Sequence, residues 1–472
     1  MREVEKKKSY RKYRNPRQSK KYINFVDAPA ISQVVVLEAP TFSYIIDYII
    51  NYSLRISMLS FKGFRILLSI PIKLLLVLLK YPFFGGINEK FKNDLINSLK
   101  LIIYRTALYM PVRESAVLSI MSNRFILNNL IRKLYPKLTN LPNYGKKYDN
   151  QSYWIVKPFE RSNNDPILIF LHGGGYFFET MPSQIESIIS IYHLLDKSKR
   201  EKLSIMILDY KLASRGYPVP YQLGELVDTY SNLVKEGNNN FIFMGDSAGG
   251  NLAIIFLQYL KLNNVEHLPY PKSVLLISPW VKIAPEEHQD TPGHSYYDNS
   301  HRDMLQIDHF RDVDKQIHIL ADTKHVSLTV SPGNCDYKHT DWEDIPTLND
   351  SGYSVFVILG EHECFRDDVL TWCKYALKSP LTPQKKDSNG IWDPKVHQYI
   401  KDQFNSAYIE VDVEPHGVHD SVLYFENNII SKVKKHPYTS ISTIDPHKYF
   451  GIVKVVTFLN RILPSEKVED LV

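Results

Sequence analysis

Two glycine clusters, each directly behind a short apolar run, constrain this chain more than any other feature. The first, His172-Gly173-Gly174-Gly175-Tyr176, follows Ile167-Leu168-Ile169-Phe170-Leu171. The second, Gly245-Asp246-Ser247-Ala248-Gly249-Gly250, follows Phe241-Ile242-Phe243-Met244. Unbroken apolar runs of this length read as strands buried on both faces. The second cluster leads into Asn251-Leu252-Ala253-Ile254-Ile255-Phe256-Leu257, a helix start. Strand, Gly-x-Ser-x-Gly, helix is the context of a nucleophile elbow, in which Ser247 is held exposed on a strained turn. The flanking glycines let the backbone bend there without a Cβ clash. Gly173, Gly174 and Ala248 are then the candidate N–H donors to an oxyanion, because glycine allows the close approach this requires. Either cluster alone occurs in ordinary loops. The two together, in this order, predict a serine hydrolase.

The surrounding pattern fits a parallel sheet. Candidate strands over 153–157, 167–171, 204–208, 241–244, 274–278, 355–359 and 408–413 are separated by helical patterns such as 183–195, 222–235 and 366–377. This alternation predicts an α/β fold with a mostly parallel central sheet. An apolar fraction of 44% is enough for a large core. Residues 87–150 are mostly helical in pattern and precede the first strand, which predicts a cap over the site. Segment 281–330 is polar, rich in His and Asp and without clear periodicity, and reads as an insertion or lid. The chain divides into a basic tail 1–40, an anchor region 41–86, the helical cap 87–150, a catalytic domain 151–435 and a C-terminal extension 436–472.

Charge is concentrated at one end. The net charge is +6, yet residues 1–21 carry ten Lys/Arg against Glu3 and Glu5, so the body is slightly acidic. No folded nucleic-acid module follows the tail, and no nucleic-acid partner is expected. A basic arm at a membrane surface fits better. Residues 64–84 are strongly apolar, with Arg65 and Lys80 near the ends and Tyr81, Phe83 and Phe84 suited to an interfacial belt. Lys73, mid-segment, opposes a span by about 2.5–3.5 kcal/mol. One span, a hairpin with the weaker stretch 41–58, and an amphipathic element lying in the interface all remain open. If 64–84 spans, the positive-inside rule puts the N-terminus in the cytosol and the body in the lumen of the endoplasmic reticulum. Asn150-Gln151-Ser152 and Asn349-Asp350-Ser351 are glycosylation acceptors for that case. Cys335, Cys364 and Cys373 lack metal-ligand spacing and read as three buried thiols.

With these residues in hand, the chain resembles the hormone-sensitive-lipase-like branch of the α/β-hydrolases. Within that branch it is similar to the fungal membrane-anchored steryl acetyl hydrolases and to arylacetamide deacetylase. The likeness covers roughly residues 150–430. It rests on the two glycine motifs, Asp209-Tyr210-Lys211-Leu212-Ala213, Ser278-Pro279-Trp280 and Gly360-Glu361-His362-Glu363-Cys364-Phe365-Arg366-Asp367-Asp368. It implies a Ser, acid, His order of triad residues. The position where the family usually carries Asp is Glu363 here, with Glu361, Asp367 and Asp368 in reserve. Two histidines follow the last strand, and His419 fits the family's spacing better than His416, the alternative base. His416, His419 and Asp420 lack the further ligands of a zinc site. No metal and no cofactor is expected.

The resemblance implies a membrane-anchored serine esterase acting on short-chain, notably acetyl, esters of an apolar alcohol such as a sterol. The partners would be a lipophilic ester and a membrane. A lipase or an arylamide deacetylase would carry the same triad. A catalytically silent hydrolase fold serving as a membrane-tethered binding protein is the alternative from another class.

Overall fold

The computed structural model of the protein describes residues 59–118, 121–384, 386–436 and 439–464. The basic tail, the stretch 41–58 and the last residues of the chain lie outside the described residues.

Eight strands form one sheet in the order β1-β3-β2-β4-β5-β6-β8-β7. They are β1 Ser152–Val156, β2 Ile167–Leu171, β3 Ser204–Leu208, β4 Phe241–Asp246, β5 Ser273–Ile277, β6 Ser354–Gly360, β7 Gln398–Lys401 and β8 Tyr408–Glu414. The centre is parallel from β3 through β2, β4, β5 and β6 to β8. Both edge strands are antiparallel to their neighbours. Strands β2 to β6 are buried along their whole length, which explains why their sequences are continuous apolar runs rather than alternating ones. The edge strand β7, Gln398-Tyr399-Ile400-Lys401, is half-buried and short, and it has no apolar run by which its sequence could announce it.

Helices of eight or more residues are α1 Phe61–Phe84, α2 Leu95–Ala107, α3 Pro182–Leu194, α4 Tyr221–Lys235, α5 Ala248–Leu262, α6 Val313–Leu320, α7 Arg366–Leu377 and α8 Phe450–Ile462. Crossover helix α5 lies on β2, β4 and β5, with α4 against it. Helix α8 packs on β6 and α3. Its buried face (Ile452, Val455, Val456, Leu459) joins the core, which gives the apolar run near the C-terminus a structural role. Segment 281–330 is not structureless. It contains short helices at Ser295–Asp298 and Asp308–Arg311 as well as α6. The three cysteines are free thiols; Cys364 and Cys373 are buried, whereas Cys335 is half-buried rather than sequestered as expected.

Helix α1 is long and apolar enough to cross a membrane. Ser60 caps it by accepting the Gly63 N–H at 3.1 Å. The helix lies against α2. Gly63 and Val77 on its inner side are buried, whereas Phe64, Leu68, Ile72, Leu75 and Leu79, spaced at three and four residues, are exposed. Lys73 does not share that outer stripe. Its ammonium donates to Thr106 Oγ1 of α2 at 3.1 Å. Lys62 also pairs with Asp312 at 2.7 Å and the Ser60 N–H donates to Glu114 Oε2 at 3.1 Å.

The elbow glycines are needed for space. None of Gly245, Gly249 and Gly250 has positive φ. A Cβ on Gly249 would stand 1.8 Å from the Leu171 carbonyl oxygen, and one on Gly245 would stand 2.4 Å from the Gly249 oxygen. Backbone atoms cannot rotate aside, so Gly249→Ala is expected to destabilise the protein by about 3 kcal/mol or more. Gly224, exposed in α4 with nothing within 4 Å of its missing Cβ, serves as the control. Gly224→Ala is expected to stabilise by about 0.5–1 kcal/mol. Urea midpoints of the two variants should move in opposite directions.

Candidate active site

Ser247 sits between β4 and α5 at φ 50°, ψ −113°. This is a strained region for a residue with a Cβ, held by three bonds: the Ser247 N–H donates to the Ile277 carbonyl at 2.9 Å, and its own carbonyl accepts the N–H groups of Trp280 at 2.8 Å and Asn251 at 3.0 Å. The strain lies on the serine itself. Its hydroxyl is 3.0 Å from His419 Nε2. His419 Nδ1 is 3.0 Å from Glu363 Oε1. The three come from the turns after β4, β8 and β6, which end side by side at the carboxyl edge of the sheet as parallel register requires.

Each member is itself positioned. Glu363 Oε2 accepts Ser278 Oγ–H at 2.8 Å and the Gly360 N–H at 2.9 Å. The extra methylene of Glu relative to Asp is accommodated because the side chain folds back onto the end of its own strand. Asp303, from segment 281–330, accepts the N–H of Cys364 at 2.8 Å and of His419 at 2.9 Å, tying the acid turn to the base turn. Burial pushes the Asp303 carboxyl up to about 6. Nothing in its local sequence marks it. Asp420 is a second neighbour: its Oδ2 lies 3.2 Å from His419 Nε2, and neither oxygen has a hydrogen-bond partner among the described residues. The contact is therefore one of charge rather than a directed hydrogen bond. Burial alone would lower the His419 pKa, but the Asp420 and Glu363 carboxylates outweigh it and hold the imidazole well above its ordinary value.

The other expected residues fall elsewhere. His416 turns away: its N–H donates to Glu361 Oε2 at 2.8 Å and its Nε2 meets Asp387 Oδ1 at 3.1 Å. Glu361 is taken up by Ser388 and His416, Asp367 accepts the Ser295 N–H at 2.9 Å, and Asp368 accepts Gln289 Nε2 at 2.8 Å. None of the three reserve acids has a bond to His419.

The donor assignment needs one correction. The Gly173 N–H is donated to Asp246 Oδ1 at 2.8 Å, so it is not available to an oxyanion. Asp246 is fully buried and also accepts Gln184 Nε2 at 2.7 Å, which fixes the glycine loop from beneath. Gly174 and Gly175 line the pocket with Ser247, and their N–H groups and that of Ala248 have no partner among the described residues. Gly175, rather than Gly173, thus presents a free N–H beside Ser247. The buried His172 ring stacks on Tyr210 at 4.1 Å, and burial lowers its pKa to about 4.

The pocket beside Ser247 is almost wholly apolar, lined from α2 by Tyr104 and Ala107, from the glycine loop by Phe177 and Phe178, and from segment 281–330 by Phe310 and Ile319. Both sequence-predicted covering segments contribute to it. Of the glycosylation acceptors, Asn150 is exposed. Asn349 is not free to carry a glycan, since its Nδ2 donates to the carbonyls of Trp342 at 2.8 Å and Ile345 at 3.0 Å.

A mostly parallel sheet with a strained serine after β4, a carboxylate after β6 and a histidine after β8 defines an α/β-hydrolase. The family model described as steryl acetyl hydrolase matches residues 65–386, a range that includes Ser247 and Glu363 and stops short of His419. The chain belongs to that family. It is 32% identical over 251 residues to mug81 of Schizosaccharomyces pombe, which is named provisionally as a steryl acetyl hydrolase, covering 51% of this chain and 64% of that one. To steryl acetyl hydrolase 1 of Saccharomyces cerevisiae it is 27% identical over 206 residues, covering 42% and 45%. The chain thus spans less than two thirds of either relative. Among solved structures, a mutant of esterase E40 aligns with a TM-score of 0.45 at 18% identity, covering 77% of this chain and 97% of that one.

A fluorophosphonate probe is expected to label wild-type protein at residue 247. Labelling should be lost in Ser247→Ala, fall at least about 100-fold in His419→Ala and persist in His416→Ala. Intact-mass spectrometry reads all three.

Proposed function

We propose that this protein is a membrane-associated serine esterase that hydrolyses short-chain, notably acetyl, esters of apolar alcohols such as sterols. One observation carries the reading: the unbroken Ser247–His419–Glu363 chain, at 3.0 Å per link, facing an apolar pocket. In this mechanism neutral His419 takes the proton from Ser247 Oγ as the oxygen attacks the ester carbonyl. The resulting oxyanion meets the N–H groups of Gly174, Gly175 and Ala248, each such donor contributing about 2.7–4 kcal/mol. The tetrahedral adduct collapses, the alcohol leaves with the proton from His419 Nε2, and the acyl group stays on Ser247. Water, deprotonated by the same nitrogen, then releases the carboxylic acid. Glu363 keeps the imidazole in the reactive tautomer and stabilises its cation.

The apolar lining suits an apolar ester, and membership of the steryl acetyl hydrolase family supports a short acyl group. Hydrolysis of p-nitrophenyl acetate, butyrate and decanoate tests this. Rates should fall with acyl length and vanish in Ser247→Ala; a preference for decanoate would favour a lipase, preference for an arylamide would favour a deacetylase of amides, and equal rates in the mutant would favour a silent fold.

The raised pKa of His419 has a direct consequence. Only the neutral imidazole accepts the serine proton, so the acidic limb of kcat/KM should lie above the ordinary histidine value of about 6.5. Asp420→Asn removes a neighbouring negative charge and should shift that limb to lower pH. A limb that stays in place would show that Asp420 does not act on His419.

For the membrane, we propose that the outer stripe of α1 lies in lipid while its inner side stays on the body. The Lys73–Thr106 bond supports this, because it turns the one mid-helix charge away from the stripe. A lipid-soluble ester would then reach the pocket without crossing water. The strongly basic tail and the exposed Asn150 favour a second arrangement, a single span with the body in the endoplasmic reticulum lumen. Endoglycosidase sensitivity lost in Asn150→Gln would select it. Leu75→Lys with Leu79→Lys should release the protein from flotation with phosphatidylcholine vesicles in the interfacial arrangement.

A further inference from the structure

Behind the proposed active site, on the far side of the acid and base turns, lies a cluster of different chemistry. His362 and His416 stack at 4.9 Å. Their Nε2 atoms converge on one carboxylate, at 2.9 Å from Asp387 Oδ2 and 3.1 Å from Asp387 Oδ1. With Glu361, one ligand-type atom from each of the four residues lies within 4.8 Å of the others. We infer that His362, His416 and Asp387 form a binding site for a divalent transition-metal ion of the zinc class.

Donor type is the first ground. Two imidazoles and a carboxylate suit zinc better than magnesium or calcium, which prefer oxygen. Geometry is the second. Zinc bonds of about 2.0–2.2 Å place tetrahedral ligands roughly 3.3–3.5 Å apart, so the two N···O separations need only a few tenths of an ångström of expansion. Both Glu361 oxygens are already engaged, by Ser388 and by the His416 N–H, so the fourth ligand of a tetrahedral ion would be water. Glu361 instead holds the His416 turn in place.

Charge and outer contacts are the third ground. Asp387, Glu361 and Glu89 surround the two imidazoles against one neighbouring cation, Arg302, which lies 3.4 Å from Asp387 Oδ2 and 3.5 Å from Glu89 Oε2. That excess of negative charge favours a dication, and Asp387 Oδ1 remains clear of Arg302. The buried His362 Nδ1 has no hydrogen-bond partner among the described residues and faces Glu89 Oε2 at 3.8 Å. Metal-bound histidines usually donate their second N–H to such a carboxylate. Glu89 and His416 both border a surface groove, which gives an ion a path in. Asp387 lies 25 residues from His362 and 29 from His416 in sequence, a spacing that marks no metal motif. An ion here would fasten the turn carrying Glu363 to the turn carrying His419.

The test uses full-length protein, stripped with chelator and titrated with zinc chloride, read by metal analysis after gel filtration and by thermal melting. One zinc per chain and a rise in melting temperature of roughly 2–4 °C are expected at 100-fold excess over Kd. Asp387→Asn and His416→Gln should each weaken binding at least about 10-fold and abolish the rise. Cobalt substituted for zinc should give the visible absorption of a four-coordinate nitrogen–oxygen site, a readout independent of whether a variant folds. No stoichiometric zinc in the wild type would overturn the proposal, as would binding unchanged in both variants. Neither result depends on esterase activity.

Discussion

The carboxyl edge of the sheet is held together by main chain packed on main chain, and this contact is what the rest of the site depends on. Gly249 rests against the Leu171 carbonyl, and a Cβ on Gly360 would stand 2.3 Å from the Gly417 oxygen. The acid and base turns are then laced directly, by the Glu361 N–H on the Glu414 carbonyl at 2.9 Å and the His362 N–H on the Gly417 carbonyl at 2.8 Å. A Cβ at Gly249 or Gly360 would meet backbone closer than side chains tolerate, so the turns would have to shift apart. The 3.0 Å links through His419 exist because those backbones touch.

Electrostatics at this edge are unusual for their concentration of buried carboxylates. Asp246, Asp303, Glu363 and Asp420 are all fully buried around one imidazole. Three of them have defined structural tasks through backbone or side-chain N–H and O–H donors, which lowers the cost of burying them. Asp420 has none among the described residues, and its Oδ2 lies 3.2 Å from the nitrogen that meets Ser247. His419 thus faces a carboxylate outside the three-membered chain as well as Glu363.

Covering elements connect the site to the surface. Arg105 of α2 donates to the carbonyls of Asp303 and His301, and Asp303 holds the acid and base turns from the other end. Helix α2 thus contacts α1 on one side and the supports of His419 on the other. The long apolar helix α1 and the pocket beside Ser247 thus share one supporting element.

Much of this was legible in the chain itself. The strand runs and the serine turn could be named from local pattern, because strands buried on both faces and a crowded turn leave narrow choices of residue, whereas Glu363 and His419 followed only from the family resemblance. Tertiary structure alone decided what spacing cannot encode. It assigned the Gly173 N–H to Asp246 and so moved Gly175 into the donor set; it turned His416 outward to Asp387, and it brought Asp303 and Asp420 against His419. Each of these is a contact between segments distant in sequence, and its direction depends on which of several nearby backbones comes within about 3 Å. Composition and periodicity record burial along one element. They carry no information on which two elements meet.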